Sequence, residues 1–233
     1  MPKLYGPEHT LYVIVSVLVA IISCVCIKKL AKTEKSQNIV MRCAGGILFA
    51  VILLNRIALV FEHGDIDWLE LLTDSVCSTS SYVLGLSLLF GKRDNCVLHF
   101  VWFISLAGGT ITTFYSNFIG QNPSFLYPPT ILGMMHHTIS AIVVMIMLLL
   151  KYVNITYKKW YYSLWGLTSY LSYGAFLMCA LNIGNPFYMT EPAIDNTPFT
   201  IWNIIPIYIV VYACILCGVE IVRKNRIKKE LID

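Results

Sequence analysis

Residues 10–27 read TLYVIVSVLVAIISCVCI, 18 positions without a charge, and residues 28–35 that follow read KKLAKTEK. At about 1.5 Å of rise per helical residue such a run covers ~27 Å, close to the ~30 Å hydrocarbon core of a bilayer. A secretory signal carries its positive charges ahead of the apolar stretch, whereas Lys28, Lys29, Lys32 and Lys35 come after it. The run therefore reads as a retained first transmembrane helix. The lysines place its carboxyl end in the cytoplasm and its amino end outside.

Working outward from this run, six further stretches have spanning length: Cys43–Phe61, Leu71–Phe90, Cys96–Phe114, Ile131–Leu150, Trp160–Asn182 and Asn203–Val222. The basic residues test that division independently. Lys28, Lys29, Lys32, Lys35 and Arg42 follow the first helix, Lys92 and Arg93 the third, and Lys151, Lys158 and Lys159 the fifth. Arg223, Lys224, Arg226, Lys228 and Lys229 form the tail. The alternate loops, Glu62–Glu70, Tyr115–Thr130 and Ile183–Trp202, hold no Lys or Arg. Fifteen of the 17 basic residues thus fall on one side, Lys3 and Arg56 excepted; adding or removing one helix would break the alternation. The expectation is an all-α polytopic membrane protein with about seven transmembrane helices, its amino terminus outside and its carboxyl terminus cytoplasmic. It forms a single transmembrane domain over 1–233, resident in the cell membrane with membrane lipid as its partner.

Composition points the same way. The chain is 57% hydrophobic and 13% charged, with a mean hydropathy of +0.69; a soluble domain carries roughly a quarter charged residues. The net charge of +4 is accounted for by orientation, so no nucleic-acid partner is implied. The eight cysteines lie almost wholly within apolar runs, which implies no disulfide framework. Cys214-x-x-Cys217 has redox or metal spacing, but inside a spanning helix without His nearby it reads as packing. Asn154-Ile-Thr156 spells a glycosylation acceptor, discounted because it falls in a cytoplasmic loop. No metal site and no cofactor is implied. Backbone irregularity concentrates in the outer loops, at Asn122-Pro123, Pro128-Pro129, Asn185-Pro186 and Thr197-Pro198.

Polar groups at membrane depth are costly and mark candidate sites. Helix direction puts them at one level near the outer face: Asn55 and Arg56 on the second helix, Asp74 and Cys77 on the third, Gly108, Gly109, Thr110, Thr112 and Thr113 on the fourth. His136 and His137 lie roughly 8–9 Å below the outer end of the fifth, and Asn182 and Asn203 end the sixth and start the seventh. Asp74, Cys77, Ser78 and Ser81 are spaced for one helix face, as are Gly133, His136, His137 and Ser140. The spacing predicts an outward polar pocket lined by Arg56, Asp74, Cys77, Thr110 and one or both histidines. Plainer roles stand beside this: a structural Arg56–Asp74 ion pair, Cys77 as a small packing residue, and histidines bonded to neighbouring helices.

Four segments resemble the YwaF-like family of bacterial integral membrane proteins. They are Asp74-Ser-Val-Cys77-Ser, Ser105-Leu-Ala-Gly-Gly-Thr110, His136-His137 after Tyr127-Pro128-Pro129, and Asn182-Ile-Gly-Asn-Pro-Phe-Tyr-Met189 with Pro192 beyond it. That family is distantly similar to eukaryotic multi-pass proteins that move or hydrolyse lipid acyl chains through a Cys or Thr nucleophile and a His. By position the resemblance implies Cys77 as nucleophile and His137 as base, with His136 as the other candidate. The sequence departs from the family pattern at Thr73-Asp74-Ser75-Val76 and at Gly184-Asn185-Pro186-Phe187-Tyr188-Met189.

Two classes of function follow. In the enzymatic one, Cys77 attacks a lipid ester with His137 as base, Asp74 orients the ring, Arg56 holds the phosphate, and Thr110, Asn182 or Asn185 donates hydrogen bonds. In the other, the pocket belongs to a transporter or binding protein for a small anionic or zwitterionic solute, or to a non-catalytic subunit of a membrane complex. The lack of a visible repeat is unlike inverted-repeat transporters. A retinal photoreceptor is rejected, because Asn203–Val222 holds no lysine.

Overall fold

The computed structural model describes residues 5–62, 64, 66–116, 124–193 and 196–230, and side chains as far as residue 225. Lys3 and the Asn122-Pro123 step lie outside these. The described residues form seven α-helices and no strand: α1 Pro7–Leu30, α2 Glu34–Val60, α3 Val76–Phe90, α4 Cys96–Phe114, α5 Pro128–Leu149, α6 Tyr161–Leu181 and α7 Ile201–Glu230. Six of them are long and apolar enough to cross a membrane. The exception is α3, whose 15 residues extend only ~22 Å against a hydrocarbon core of ~30 Å.

The start of α3 corrects the sequence reading, which began the third span at Leu71. A 3₁₀ turn at Trp68–Leu71 comes first, and the helix opens only after Ser75, whose side chain accepts the Ser78 amide at 3.2 Å. A serine hydroxyl at that position satisfies an amide the helix leaves without a partner, so the chain turns helical there rather than at the first apolar residue. The same device opens α2, where Thr33 and Ser36 cap each other's amides, and α4, where Asn95 accepts from Leu98. Proline fixes the backbone at the first position of α1 and α5.

The chain divides into two compact units, Met1–Val153 and Asn154–Asp233. In the first, α2 to α5 enclose a core of Met41, Leu48, Ile52, Leu84, Leu88, Leu98, Met134 and Met147. Lipid tails are as apolar as these residues, so close packing rather than water exclusion must hold the helices together. Glycines supply that closeness. A side chain on Gly45 would meet Leu88 Cβ at 2.6 Å and the Gly85 carbonyl at 2.9 Å, which fixes where α2 and α3 cross. Helix α1 is different: among its described residues only His9 and Ser16 are buried, and its remaining apolar surface faces outward as a lipid-exposed span does. At the opposite end of the unit from His9, Arg93 donates to Gln37 Oε1 at 2.8 Å and to the Leu150 and Lys151 carbonyls at 3.3 and 2.9 Å. It thereby caps the last turn of α5 and ties it to the first turn of α2.

In the second unit, α6 ends at Asn182, which adopts the left-handed conformation (φ 54°, ψ 30°) suited to a helix stop. A 3₁₀ turn at Pro186–Tyr188 follows. It drives Phe187 against Tyr170 and Tyr173, with ring centroids 5.7 and 5.8 Å apart. Gly174 makes the room, since a β-carbon there would sit 2.8 Å from Phe187 Cδ2 and 2.9 Å from Met189 Sδ. Gly174→Ala is therefore expected to lower stability by about 1–3 kcal/mol, the usual cost of overpacking. Thermal unfolding in detergent checks it; an unchanged midpoint would mean that the turn yields freely. Ser163 on α6 and Tyr208 on α7 share a 2.6 Å hydrogen bond.

Candidate functional site

The polar side chains of the first unit gather where α2 and α4 end and α3 and α5 begin. Arg56, 7% exposed, lies one turn before the end of α2. Its Nη2 donates to Ser78 Oγ on α3 at 3.4 Å and to Asn55 Oδ1 at 3.3 Å. Asn55 Nδ2 in turn donates to the Pro129 carbonyl in the first turn of α5, at 3.0 Å. A guanidinium and an amide thus join three helices at one level. One turn further along α3, Ser81 Oγ meets His136 Nδ1 of α5 at 3.3 Å, with Ser81 1% and His136 2% exposed. The His136 and His137 rings lie 4.1 Å apart by centroid, inclined at 33°.

Helix α4 enters through its glycine pair. Gly108 lies against Cys77: a β-carbon there would stand 2.7 Å from Cys77 Sγ. Gly109 lies against α5, where a β-carbon would collide with the His137 carbonyl at 2.4 Å and meet Ala141 at 3.1 Å. The two glycines bring the thiol-bearing face of α3 and the histidine-bearing turn of α5 to adjacent flanks of one helix.

A second polar cluster adjoins this one. Thr113 Oγ1 donates to the Gly109 carbonyl at 2.7 Å and shares a 2.9 Å hydrogen bond with Thr138, which meets Tyr12 OH at 2.8 Å. His9 Nε2 lies 3.1 Å from the Thr113 carbonyl. These contacts pin one end of α1 to α4 and α5. Ser105 and Ser140 carry buried hydroxyls with no hydrogen-bond partner among the described residues.

The residues singled out from sequence fare unevenly. Arg56, His136 and His137 are buried together, and Cys77 sits half-buried on the same α3 face as Ser78 and Ser81. Asp74 does not join that face. It precedes the Ser75 cap, is exposed, and makes no ion pair with Arg56 among the described residues. In the 3₁₀ turn, burial pushes the Glu70 carboxyl upward while the Arg56 charge opposes that shift. Thr110 is exposed too. One helical step separates it from Gly109, and the buried hydroxyls of α4 are those of Ser105, Thr112 and Thr113. Asn182 and Asn185 belong to the second unit. Asn182 is the exposed stop of α6. The Asn185 amide is committed to its own loop, with Oδ1 accepting from the Thr190 and Glu191 amides and Nδ2 donating to the Glu191 carbonyl.

Cys77 makes no hydrogen bond to either imidazole among the described residues. Ser81, one turn along and ~6 Å further down the helix axis, is the α3 side chain hydrogen-bonded to a histidine among the described residues. In the sequence Ser81 is a face-sharing serine with no role of its own, and Tyr12 and His9 carry no signal because α1 reads as an ordinary span. All eight cysteines are free thiols, and among the described residues no three His, Cys, Asp or Glu converge as a metal site. The arrangement offers a fixed cation, two imidazoles and a thiol at one end of a helical bundle, a set suited to holding an anionic group and to moving a proton.

Against known proteins, the family model of the TMEM164 family matches residues 4–222. No curated protein matches the chain, and no solved structure does.

Proposed function

This chain belongs to the TMEM164 family, and we propose that its polar centre transfers or hydrolyses the acyl chains of membrane lipid. The observation that carries the reading is the burial of Arg56, His136 and His137 in the first unit, bonded through Ser78 and Ser81 to the helix that also carries Cys77. The likeness of the Cys77 and His136-His137 segments to the YwaF-like pattern supports the choice of nucleophile. The alternation of basic loops supports an orientation in which this end of the bundle meets the outer leaflet of the cell membrane.

In the proposed step the Arg56 guanidinium holds the lipid phosphate. The Cys77 thiol gives its proton to His137, and the sulfur attacks the ester carbonyl. The carbonyl–oxygen bond breaks, His137 returns the proton to the departing lipid oxygen, and a Cys77 thioester remains. A second hydroxyl, from another lipid or from water, then attacks the thioester carbonyl and gives its proton back through His137 to the sulfur. Cys77 and His137 are not hydrogen-bonded at rest. Such pairs often close only when substrate is bound.

The same missing contact favours a second reading, a pocket that binds a small anionic or zwitterionic solute around Arg56 without covalent chemistry. One experiment separates the two. Purified protein in liposomes is given phospholipid with a labelled acyl chain, and lipid products and solute uptake are measured together. Acyl exchange or release with uptake at background supports the enzyme. Concentrative uptake with unchanged lipid overturns it.

A further inference from the structure

Two adjacent imidazoles share the site, and their surroundings differ in one respect that decides what each can do. His136 Nδ1 lies 3.3 Å from Ser81 Oγ, both side chains being buried. The His137 ring makes no hydrogen bond among the described residues; its contact is the His136 ring at 4.1 Å.

The direction of the Ser81–His136 bond follows from what else Ser81 can reach. A hydroxyl brings one proton and two acceptor positions. Its neighbour Ser80 sends its proton back to the Val76 carbonyl at 2.7 Å, the usual way a helix disposes of a serine. Ser81 does not; His136 Nδ1 is its one hydrogen-bond partner among the described residues. If Nδ1 carried the ring proton, the Ser81 proton would be buried with no acceptor, an arrangement that folded proteins avoid. Ser81 therefore donates and Nδ1 accepts. In a neutral imidazole the ring proton then resides on Nε2.

We propose that Ser81 is a positioning residue that locks His136 as an Nε2–H donor, dividing the labour of the pair. Resting on the acyl-transfer reading, this makes His136 the hydrogen-bond donor to the charge that develops on the ester oxygen, and leaves His137 as the base. A ring with Nδ1 occupied and Nε2 protonated has no lone pair with which to take the Cys77 proton. It is instead a fixed dipole aimed from a dry site, the kind of group that stabilises an oxyanion. Contact with the tilted His136 ring holds the His137 ring in place without occupying its nitrogens. The inference separates two rings that adjacency alone leaves equivalent, since by adjacency either histidine could serve as base.

The test is nitrogen-15 NMR of the full chain, labelled at histidine and held in detergent micelles, with the His136 signals assigned by their loss in His136→Gln. The expected wild-type spectrum shows His136 as the Nε2–H tautomer. Ser81→Ala should give a mixture of tautomers and Ser81→Thr should restore the single form. Turnover should follow: Ser81→Ala lowers kcat by about tenfold, the loss of one orienting hydrogen bond, with KM unchanged and rescue by threonine. His136→Gln, which keeps an N–H near the Nε2 position, should retain more activity than His137→Gln. An Nδ1–H tautomer for His136 in the wild type, or one unmoved by Ser81→Ala, overturns the proposal. If the tautomer behaves as described but Cys77→Ala still turns over lipid, the nucleophile assignment fails while the Ser81–His136 lock stands.

Discussion

Cys77→Ala is expected to abolish acyl transfer from phospholipid while leaving the fold intact. The thiol is half-buried and lies against Gly108 of α4, so removing one sulfur leaves a small gap between α3 and α4. Activity is another matter, because the sulfur is the atom that bonds to the acyl carbon. His137→Ala should fall less far, by about 10²–10⁴-fold, the contribution of a positioned general base. Because that substitution also removes a buried ring, His137→Gln is the control that keeps the volume. The measurement is release or exchange of a labelled acyl chain, paired with a thermal midpoint for each variant. Retention of more than a tenth of wild-type turnover by Cys77→Ala would remove Cys77 from the chemistry.

The second large effect is structural. Gly109→Val is expected to destabilise the first unit by about 3 kcal/mol or more, at the upper end of what overpacking costs. Even the β-carbon alone would overlap the His137 carbonyl at 2.4 Å and crowd Ala141 at 3.1 Å. Backbone rather than a flexible side-chain tip receives it, so α4 and α5 must separate. The Thr113–Thr138 hydrogen bond and the placement of His136 and His137 depend on that contact. Gly46→Ala is the matching control: its nearest neighbour, Leu89 Cδ2, lies at an ordinary 3.4 Å, and alanine favours the helix by about 0.5–1 kcal/mol. Loss of unfolding midpoint in Gly109→Val but not Gly46→Ala is the expected pattern. Equal midpoints would mean that the helices are not packed through this glycine.

The spans were legible because two signals of different origin coincide. Apolar length is dictated by bilayer thickness and loop charge by orientation, and neither depends on how the helices pack. The errors fall where a decision turns on single side chains. Leu71 and Leu72 continue the apolar run of α3, but the Ser75 hydroxyl caps the helix four residues later. Asp74 is thereby left outside the helix, and the helical spacing that grouped it with Cys77 does not apply. Thr110 and Thr113 are equally polar on paper. The close approach at Gly109 sets the rotation of α4, and Thr113, one full turn from Gly109, shares its buried face. Asn185 resembles a site residue in composition, yet the carbonyl and amides it satisfies belong to its own loop. Ser81 was visible only as a member of a face, because its value lies in which histidine nitrogen it meets.

Mass analysis of an acid-quenched reaction tests the central claim most directly. Protein in micelles is mixed with phospholipid bearing an isotope-labelled acyl chain, and the peptide containing Cys77 is weighed before and after neutral hydroxylamine. The account predicts one labelled acyl group on Cys77, released by hydroxylamine and missing in Cys77→Ala. Lipid turnover without label on that peptide, or label that persists on the chain in Cys77→Ala, contradicts it.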